Sequence, residues 1–329
     1  MRYFLTGATG FVGGAIARQL LVAGHEVVAL VRDPERARGI AAAGARIARG
    51  DMTDRDAVSA AMAGADGVFH VGGWYRIGVR GHADAWRANA EATRCVLEAM
   101  RDLRIPKGVY TSTITVYSNT HGRIVDERYR FEGSHLTVYG KTKWVAHYDV
   151  ALPLIREGLP LVIVLPGAVY GPGDHSLFQQ SLVSYLHGRL PVLPLGTAHC
   201  WSHVEDAARG HILAMERGRP GQSYIISGRP HTVVEVFAIV EAITGVRAPR
   251  LRLFPGILKA LSVVAELVDD FVLLPPTYTG EGLRATAGAT YTASDAKARR
   301  ELGFTSRDLR DGLRETVLHE MRTLGMLSP

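Results

Sequence analysis

Cysteine is almost missing from this chain: two, Cys95 and Cys200, stand among 329 residues, with no CxxC spacing and no His/Cys cluster beside them. That excludes a disulfide-stapled scaffold, and a reduced, cytoplasmic setting is expected. Long apolar runs are missing too. The most apolar late stretch, 256–274, is interrupted by Lys259, Glu266, Asp269 and Asp270, too short and too charged for a bilayer span. It reads as a helix packed in a smaller lobe, with an interfacial helix as the alternative. The opening MRYFLTGATGFVGG meets glycines before the apolar core of a secretion signal develops. Blocks of like charge are absent as well. The 38 Lys+Arg against 32 Asp+Glu give +6, dispersed in a way that suits an anionic small molecule and not a nucleic acid. Thirteen scattered histidines, with no HExxH, GxSxG or Walker loop, give no reason to expect a metal site or those hydrolytic chemistries.

What is present is a rhythm. Residues 2–6 read as a strand, 11–23 as a helix and 26–31 as a second strand. A helix near 34–42, a strand at 45–48, a helix at 54–62 and a strand at 67–71 follow. A long helix at 83–101 precedes a fifth strand at 107–112, and 138–157 is helical again. Residues 159–165 contain LVIVL, a run that suits a strand buried on both faces. Such alternation predicts α/β architecture, a doubly wound parallel sheet of Rossmann type. After Pro166 the pattern breaks into LPGAVYGPGD and LPVLPLGT, then resumes with a helix at 204–216 and a strand at 223–226. Helices at 233–244 and 293–302 belong to a smaller mixed lobe. The expected division is 1–168 with about 204–228 as the dinucleotide-binding domain, and 169–203 with 229–329 as a discontinuous substrate lobe.

Thr6-Gly7-Ala8-Thr9-Gly10-Phe11-Val12-Gly13 sits between the first strand and first helix. There the glycines permit a tight turn and close approach of a pyrophosphate, which meets the open N–H groups of the helix start. The spacing is GxxGxxG, and TGATGFVG resembles the opening of the extended short-chain dehydrogenase/reductase family, which includes nucleotide-sugar epimerases, 3β-hydroxysteroid dehydrogenases and dihydroflavonol reductases. The second strand ends in Arg32, with Arg36 and Arg38 beyond it. An arginine fork there matches a 2′-phosphate, so NADP(H) is expected ahead of NAD(H), with Asp33 keeping NAD(H) possible. The resemblance further implies that Asp51-Met52 faces adenine and that His70-Val71-Gly72-Gly73 passes beneath the dinucleotide. The family usually has alanines where Gly72 and Gly73 stand, and His70 itself reads as structural.

Tyr139 and Lys143 fall four apart, on one face of a predicted helix. An ammonium nearby, together with the positive nicotinamide of an oxidised cofactor, favours phenolate, so these charges are expected to bring Tyr139 down toward the range of general acid–base work. The resemblance implies that Lys143 also binds the nicotinamide ribose. It implies a hydroxyl from Thr111-Ser112-Thr113 near the substrate oxygen, Thr113 first and Ser112 second, and a water-linking role for Asn89. Pro166, Gly167 and Val169 match the loop that closes over the nicotinamide, although the family's Arg-Pro is Leu165-Pro166 here. Trp74, Tyr75, His135, Tyr170 and Phe178, with Trp201, are candidate pocket residues, with lobe core the equal alternative for Phe178 and Trp201. Arg252 and Arg284 are the possible diphosphate binders.

Three readings follow. An NADPH-dependent reductase of an apolar or phenolic carbonyl, resembling dihydroflavonol reductases, stands first because of Arg32, Leu165 and the late segments PRLRLFPGILKAL and DAKARRELGF. A nucleotide-sugar epimerase or dehydratase with tightly held NAD stands second, and a non-catalytic dinucleotide sensor third. The family resemblance implies a homodimer through helices 83–101 and 138–157.

Overall fold

The computed structural model describes residues 1–78, 82–269 and 274–327. The strands, in chain order, begin with β1 (Arg2–Thr6), β2 (Glu26–Val31), β3 (Arg46–Arg49), β4 (Gly67–His70), β5 (Gly108–Thr111) and β6 (Leu161–Pro166). Next come β7 (Ala168–Tyr170), β8 (Leu193–Pro194), β9 (Ala198–His203) and β10 (Ser223–Ile226). Last are β11 (Pro230–Thr232), β12 (Arg252–Leu253) and β13 (Thr290–Tyr291). Seven of them form one sheet in the order β10-β6-β5-β4-β1-β2-β3, with every neighbour parallel. This is the expected Rossmann-type α/β sheet. Each residue of β6 is buried, as its unbroken apolar run requires of a strand covered on both faces.

Two apolar layers sandwich the sheet. One holds Val96, Met100, Tyr110, Val150 and Leu161, against helices 82–102 and 138–156. The other holds Ile16, Leu20, Val27, Ala208 and Tyr224, where helix Phe11–Val22 meets helix Val204–Arg217. Both helices bury small residues (Gly13, Gly14, Ala17; Ala207, Ala208, Gly210), and Gly210 lets Val204–Arg217 lie close on Ile226 of β10. Ala298, Leu302 and Phe304 also enter this second layer. Helix Ala296–Leu302 therefore packs on the dinucleotide side, although the expected boundary puts it in the lobe.

The lobe is built on β9, which pairs with β7, β11 and β13. Its core gathers Tyr170, Tyr185, Trp201, Phe237 and Leu313, beneath helices Leu177–Leu186, Val233–Thr244 and Leu309–Thr323. Both long helices flanking the fifth strand carry a π-turn, at Arg87–Glu91 and at Ala146–Ala151. Such turns recur at functional sites, and the first one contains Asn89. Helix Pro255–Asp269 departs from expectation: Leu258, Ser262 and Ala265 are its buried side chains, and most of its other apolar residues face outward.

Candidate active site

The sheet order reverses between β1 and β4, and the loops leaving these strands part there, forming the crevice where ligands of open α/β sheets bind. Two glycines make the first loop possible. Gly7 has φ +76°, and a Cβ on it would sit 2.6 Å from the Gly72 nitrogen; a Cβ on Gly13 would sit 2.1 Å from the Gly7 oxygen. Gly10 begins helix Phe11–Val22 without a side-chain cap. The first-turn N–H groups, around Phe11, Val12 and Gly13, are thus left open for an anion. Thr9 and Gly10 are exposed at the same turn. Backbone cradle and uncapped helix start together fit a dinucleotide pyrophosphate.

A hydroxyl locks the two loops together. Thr6 Oγ1 accepts from the Val71 and Gly72 N–H groups at 3.2 and 3.1 Å and lies 2.9 Å from His70 Nδ1. Its own proton then goes to Nδ1, and His70 Nε2–H donates to Thr93 Oγ1 at 2.9 Å. Burial, reinforced by Lys143, pushes His70 down to about 3, so it stays neutral and structural. Met52 rests over Gly72, where a Cβ would come within 2.4 Å of its sulfur. At Gly73 a Cβ would lie 2.9 Å from Asn89 Oδ1, which explains glycine in place of the family's alanine. Asp51 accepts from the Thr53 N–H and hydroxyl at 2.9 and 2.7 Å. Burial raises its carboxyl, but the Thr53 hydrogen bonds, with Arg87 and Arg32, outweigh this and hold it below the ordinary value. Arg32 and Arg36 are exposed at the tip of β2. Asp33 is turned to the backbone, capping the 3₁₀ turn Pro34–Ala37 through the Glu35 N–H at 3.0 Å.

Thr137 caps helix Val138–Val145 through the Gly140 N–H, fixing the start of the turn that carries Tyr139 and Lys143. Lys143 is 5% exposed, donates to the Thr111 carbonyl at 2.7 Å and stands 4.6 Å above the Tyr110 ring. Burial pushes this amine down to about 7. The chain's own groups set Tyr139 above the ordinary phenol value. Desolvation and the neighbouring Tyr75 phenol raise it above 10, while hydrogen bonding with Thr113 pulls it back in part. Burial of the phenol is the dominant cause, and the Lys143 amine is itself engaged with the Thr111 carbonyl. The chain's own groups therefore hold Tyr139 as a protonated donor.

The hydroxyl candidates separate cleanly. Thr113 caps the turn Ile114–Tyr117 through the Thr115 N–H at 3.1 Å and remains beside Tyr139. Ser112 is turned inward, 2.8 Å from His147 Nδ1. Asn89 differs from the water-linking expectation: its amide donates to the Trp74 carbonyl and Thr142 hydroxyl, and its Oδ1 accepts from the Trp74 N–H. It fastens the loop that carries Trp74 and Tyr75. In the nicotinamide-loop candidate, Pro166 ends β6, the Gly167 N–H donates to Ile226 O at 3.2 Å, and Val169 pairs with Ser202.

Of the pocket candidates, Tyr75 meets Tyr139 edge-on, ring centroids 4.9 Å apart. Half of its surface is exposed; desolvation of its phenol and the Asp174 carboxylate push it up to about 12. Others are engaged in packing. His135 is held between Phe131 and Trp144. Tyr170 is fully buried, its hydroxyl filling the space a Gly312 side chain would take. Half-buried Phe178 packs on Tyr170, Trp201 and Phe237 at the edge of the lobe core, and Trp201 lies within it. Sequence reasoning missed Glu281 and Tyr291. Glu281 accepts from the Gly78 N–H at 2.7 Å and the Val138 N–H at 2.6 Å, joining the Tyr75 loop to the Tyr139 helix. Tyr291, stacked on His199 at 5.2 Å, is raised by burial and by the nearness of Tyr75 and Glu281. Contacts spanning 203 and 143 residues leave no local signal. A surface crevice of about 690 Å³ lined by Gln19, Arg209 and Glu315 contains none of these residues. Among the described residues no cluster of His, Cys, Asp and Glu could hold a metal ion.

Comparison with known proteins agrees with this geometry. The family model described as NAD dependent epimerase/dehydratase family matches residues 3–227. A putative dihydroflavonol 4-reductase of Synechocystis sp. is 29% identical over 96% of this chain and 93% of its own. The 4-hydroxy-2-methyl-3-oxo-4-farnesyl-3,4-dihydroquinoline-1-oxide ketoreductase of Stigmatella aurantiaca is 30% identical, covering 93% and 92%. The solved structure described as gox2253 superposes with a TM-score of 0.85 at 32% identity, over 99% of each chain.

Proposed function

The chain belongs to the NAD dependent epimerase/dehydratase family, and from that premise we propose that it is an NADPH-dependent reductase of a carbonyl on an apolar or phenolic small molecule. The Gly7–Gly13 backbone, Asp51, Met52, Lys143 and the Gly167 loop would hold the dinucleotide, with Arg32 and Arg36 toward a 2′-phosphate. When bound, the dinucleotide supplies the hydride. Tyr139, held protonated by the chain's own field, gives its proton to the carbonyl oxygen as that oxygen gains charge. Thr113 steadies the same oxygen, and Lys143 supports the phenolate left behind.

The observation that carries the reading is the wall around Tyr139. Tyr75 meets Tyr139 edge-on with half of its own surface exposed; Tyr291 is buried near Tyr75, and the Asp174 and Glu281 carboxylates lie close enough to raise these two phenols. Such a wall suits a neutral ring or alkyl chain and repels a diphosphate. Arg284, a candidate for that diphosphate, is paired with Glu266, and Arg252 lies exposed on β12. The relatives described as a putative dihydroflavonol 4-reductase and as a farnesyl-dihydroquinoline-oxide ketoreductase support the same class. The proposal retains a homodimer through helices 83–101 and 138–157, measurable by light scattering.

The test is mass analysis of any dinucleotide released from purified protein, followed by a panel of aryl and alkyl ketones with NADPH. Stoichiometric NADPH oxidation is expected, with Tyr139→Phe slowing turnover at least about hundredfold. Co-purifying NAD(H), and turnover of a nucleotide sugar without added nicotinamide, would overturn the reading in favour of an epimerase or dehydratase.

A further inference from the structure

Helix Pro255–Asp269 buries a narrow stripe and exposes its apolar side. Leu258, Ser262 and Ala265 face the protein, and the Ser262 backbone and Glu266 pack against Gly280. Outward, Ile257, Leu261, Val264 and Val268 fall at helical spacing on one stripe, with Leu267 at its border. Leu267 is 70% exposed, and just before the helix Phe254 and Leu251 are 65% and 60% exposed. A helix that is apolar nearly all round belongs in a core or against lipid, and a patch this continuous marks an interaction surface.

Charge identifies the partner. Between Glu241 and Glu266 the chain has no acid and four cations, Arg247, Arg250, Arg252 and Lys259. All four are exposed, and none makes an ion pair among the described residues. Cations beside an outward apolar stripe are the composition that seats a helix in the headgroup layer of an anionic bilayer. No described helix is long and apolar enough to cross a membrane, so the contact is with one surface. We infer that the segment from Arg247 to Val268 docks this protein on anionic lipid membranes, with Phe254, Leu261, Val264 and Leu267 inserted and the arginines at the phosphates. The inference does not depend on the reaction proposed above. It has a geometric consequence for the site, since Gly280 touches this helix and the adjacent Glu281 holds both the Tyr75 loop and the Tyr139 helix.

Co-sedimentation of the full chain with phosphatidylcholine vesicles, with and without phosphatidylglycerol, tests it. Binding is expected to the anionic vesicles alone and to weaken with salt. Val264→Asp with Leu267→Asp should reduce partitioning at least about tenfold, and Arg250→Ser with Arg252→Ser about fivefold per charge removed. Both pairs replace exposed side chains, so thermal unfolding should stay near the parent's. Should the chain ignore anionic vesicles, or should the aspartate pair leave their binding intact, the docking surface is refuted. Light scattering that shows the aspartate pair breaking a dimer, without vesicle binding by the parent, assigns the face to a second copy instead.

Discussion

Lys143 sets the electrostatic tone of the site, because a buried amine is costly to keep charged. Its value falls from 10.5 to about 7 on folding. Below about pH 7 both folded and unfolded chains hold the proton, and the full penalty of burying the charge applies. Between about 7 and 10.5 the unfolded chain binds more protons, so this group's penalty fades as pH rises. Lys143→Met should therefore raise the melting temperature at pH 6 by several degrees and bring little gain at pH 10. A gain that does not change with pH would show the amine to be uncharged or well solvated when folded. Arg32→Ala should raise the KM for NADPH much more than that for NADH; equal effects would remove the 2′-phosphate assignment. Glu281→Gln keeps the shape but turns an amide donor toward one of two N–H groups. It should cost about 1–3 kcal/mol in stability and lower kcat more than it changes the KM for NADPH, as steady-state kinetics would show. Tyr139, Lys143 and Thr113 were legible because each lies in a short motif. Glu281 and Tyr291 were not, since their meaning comes from chain segments far apart in sequence. The direction of the Tyr139 shift was also hidden: proximity to Lys143 can be read from spacing, but desolvation and the competing Thr111 carbonyl cannot.

At the scale of elements, the glycine turn is the clearest case of sequence dictating structure. A methyl group on Gly13 would overlap the Gly7 carbonyl, so the helix start must move away from the turn. Gly13→Ala should leave the far sheet intact but weaken dinucleotide binding at least about tenfold, since a displacement near an ångström spoils the fit. Titration of dinucleotide fluorescence would measure it, and unchanged affinity would remove the cradle argument. The parallel strands were readable because burial on both faces forces near-continuous apolar runs such as LVIVL. Strands β7, β9, β11 and β13 escaped the reading because they are short, sit among glycines and prolines, and take pairing partners far along the chain. For the same reason the sequence leaves Tyr170 on the pocket side and Phe178 and Trp201 between pocket and lobe core. Their loops follow the sheet's carboxyl ends, but the side chains turn away into the lobe core. Helix Leu309–Thr323 does carry a local signal, since its buried positions Leu309, Gly312, Leu313, Thr316, Val317 and Glu320 follow helical spacing.

For the whole molecule, the question is whether lobe and sheet unfold together. The layer holding Tyr117 and Val125 also contains Cys200, Tyr291 and Ala293 from the lobe, so apolar packing is shared across the division. The late chain crosses back between Phe304, which lies in the sheet's second layer, and Leu309, which lies in the lobe core. Asp206 holds that crossing. Its carboxylate accepts from the Arg307 N–H, Nε and Nη2 at 2.9, 3.1 and 3.2 Å. Asp206→Ala leaves those donors without their acceptor in a half-buried place, which should cost about 2–3 kcal/mol. For a chain of this size that lowers the melting temperature on the order of 5 °C. Shared packing implies one cooperative transition in both parent and variant, seen at the same temperature by near- and far-ultraviolet circular dichroism. Two separated transitions in the variant would mean that this ion pair, and not the common apolar layer, is what makes the lobe and sheet one folding unit.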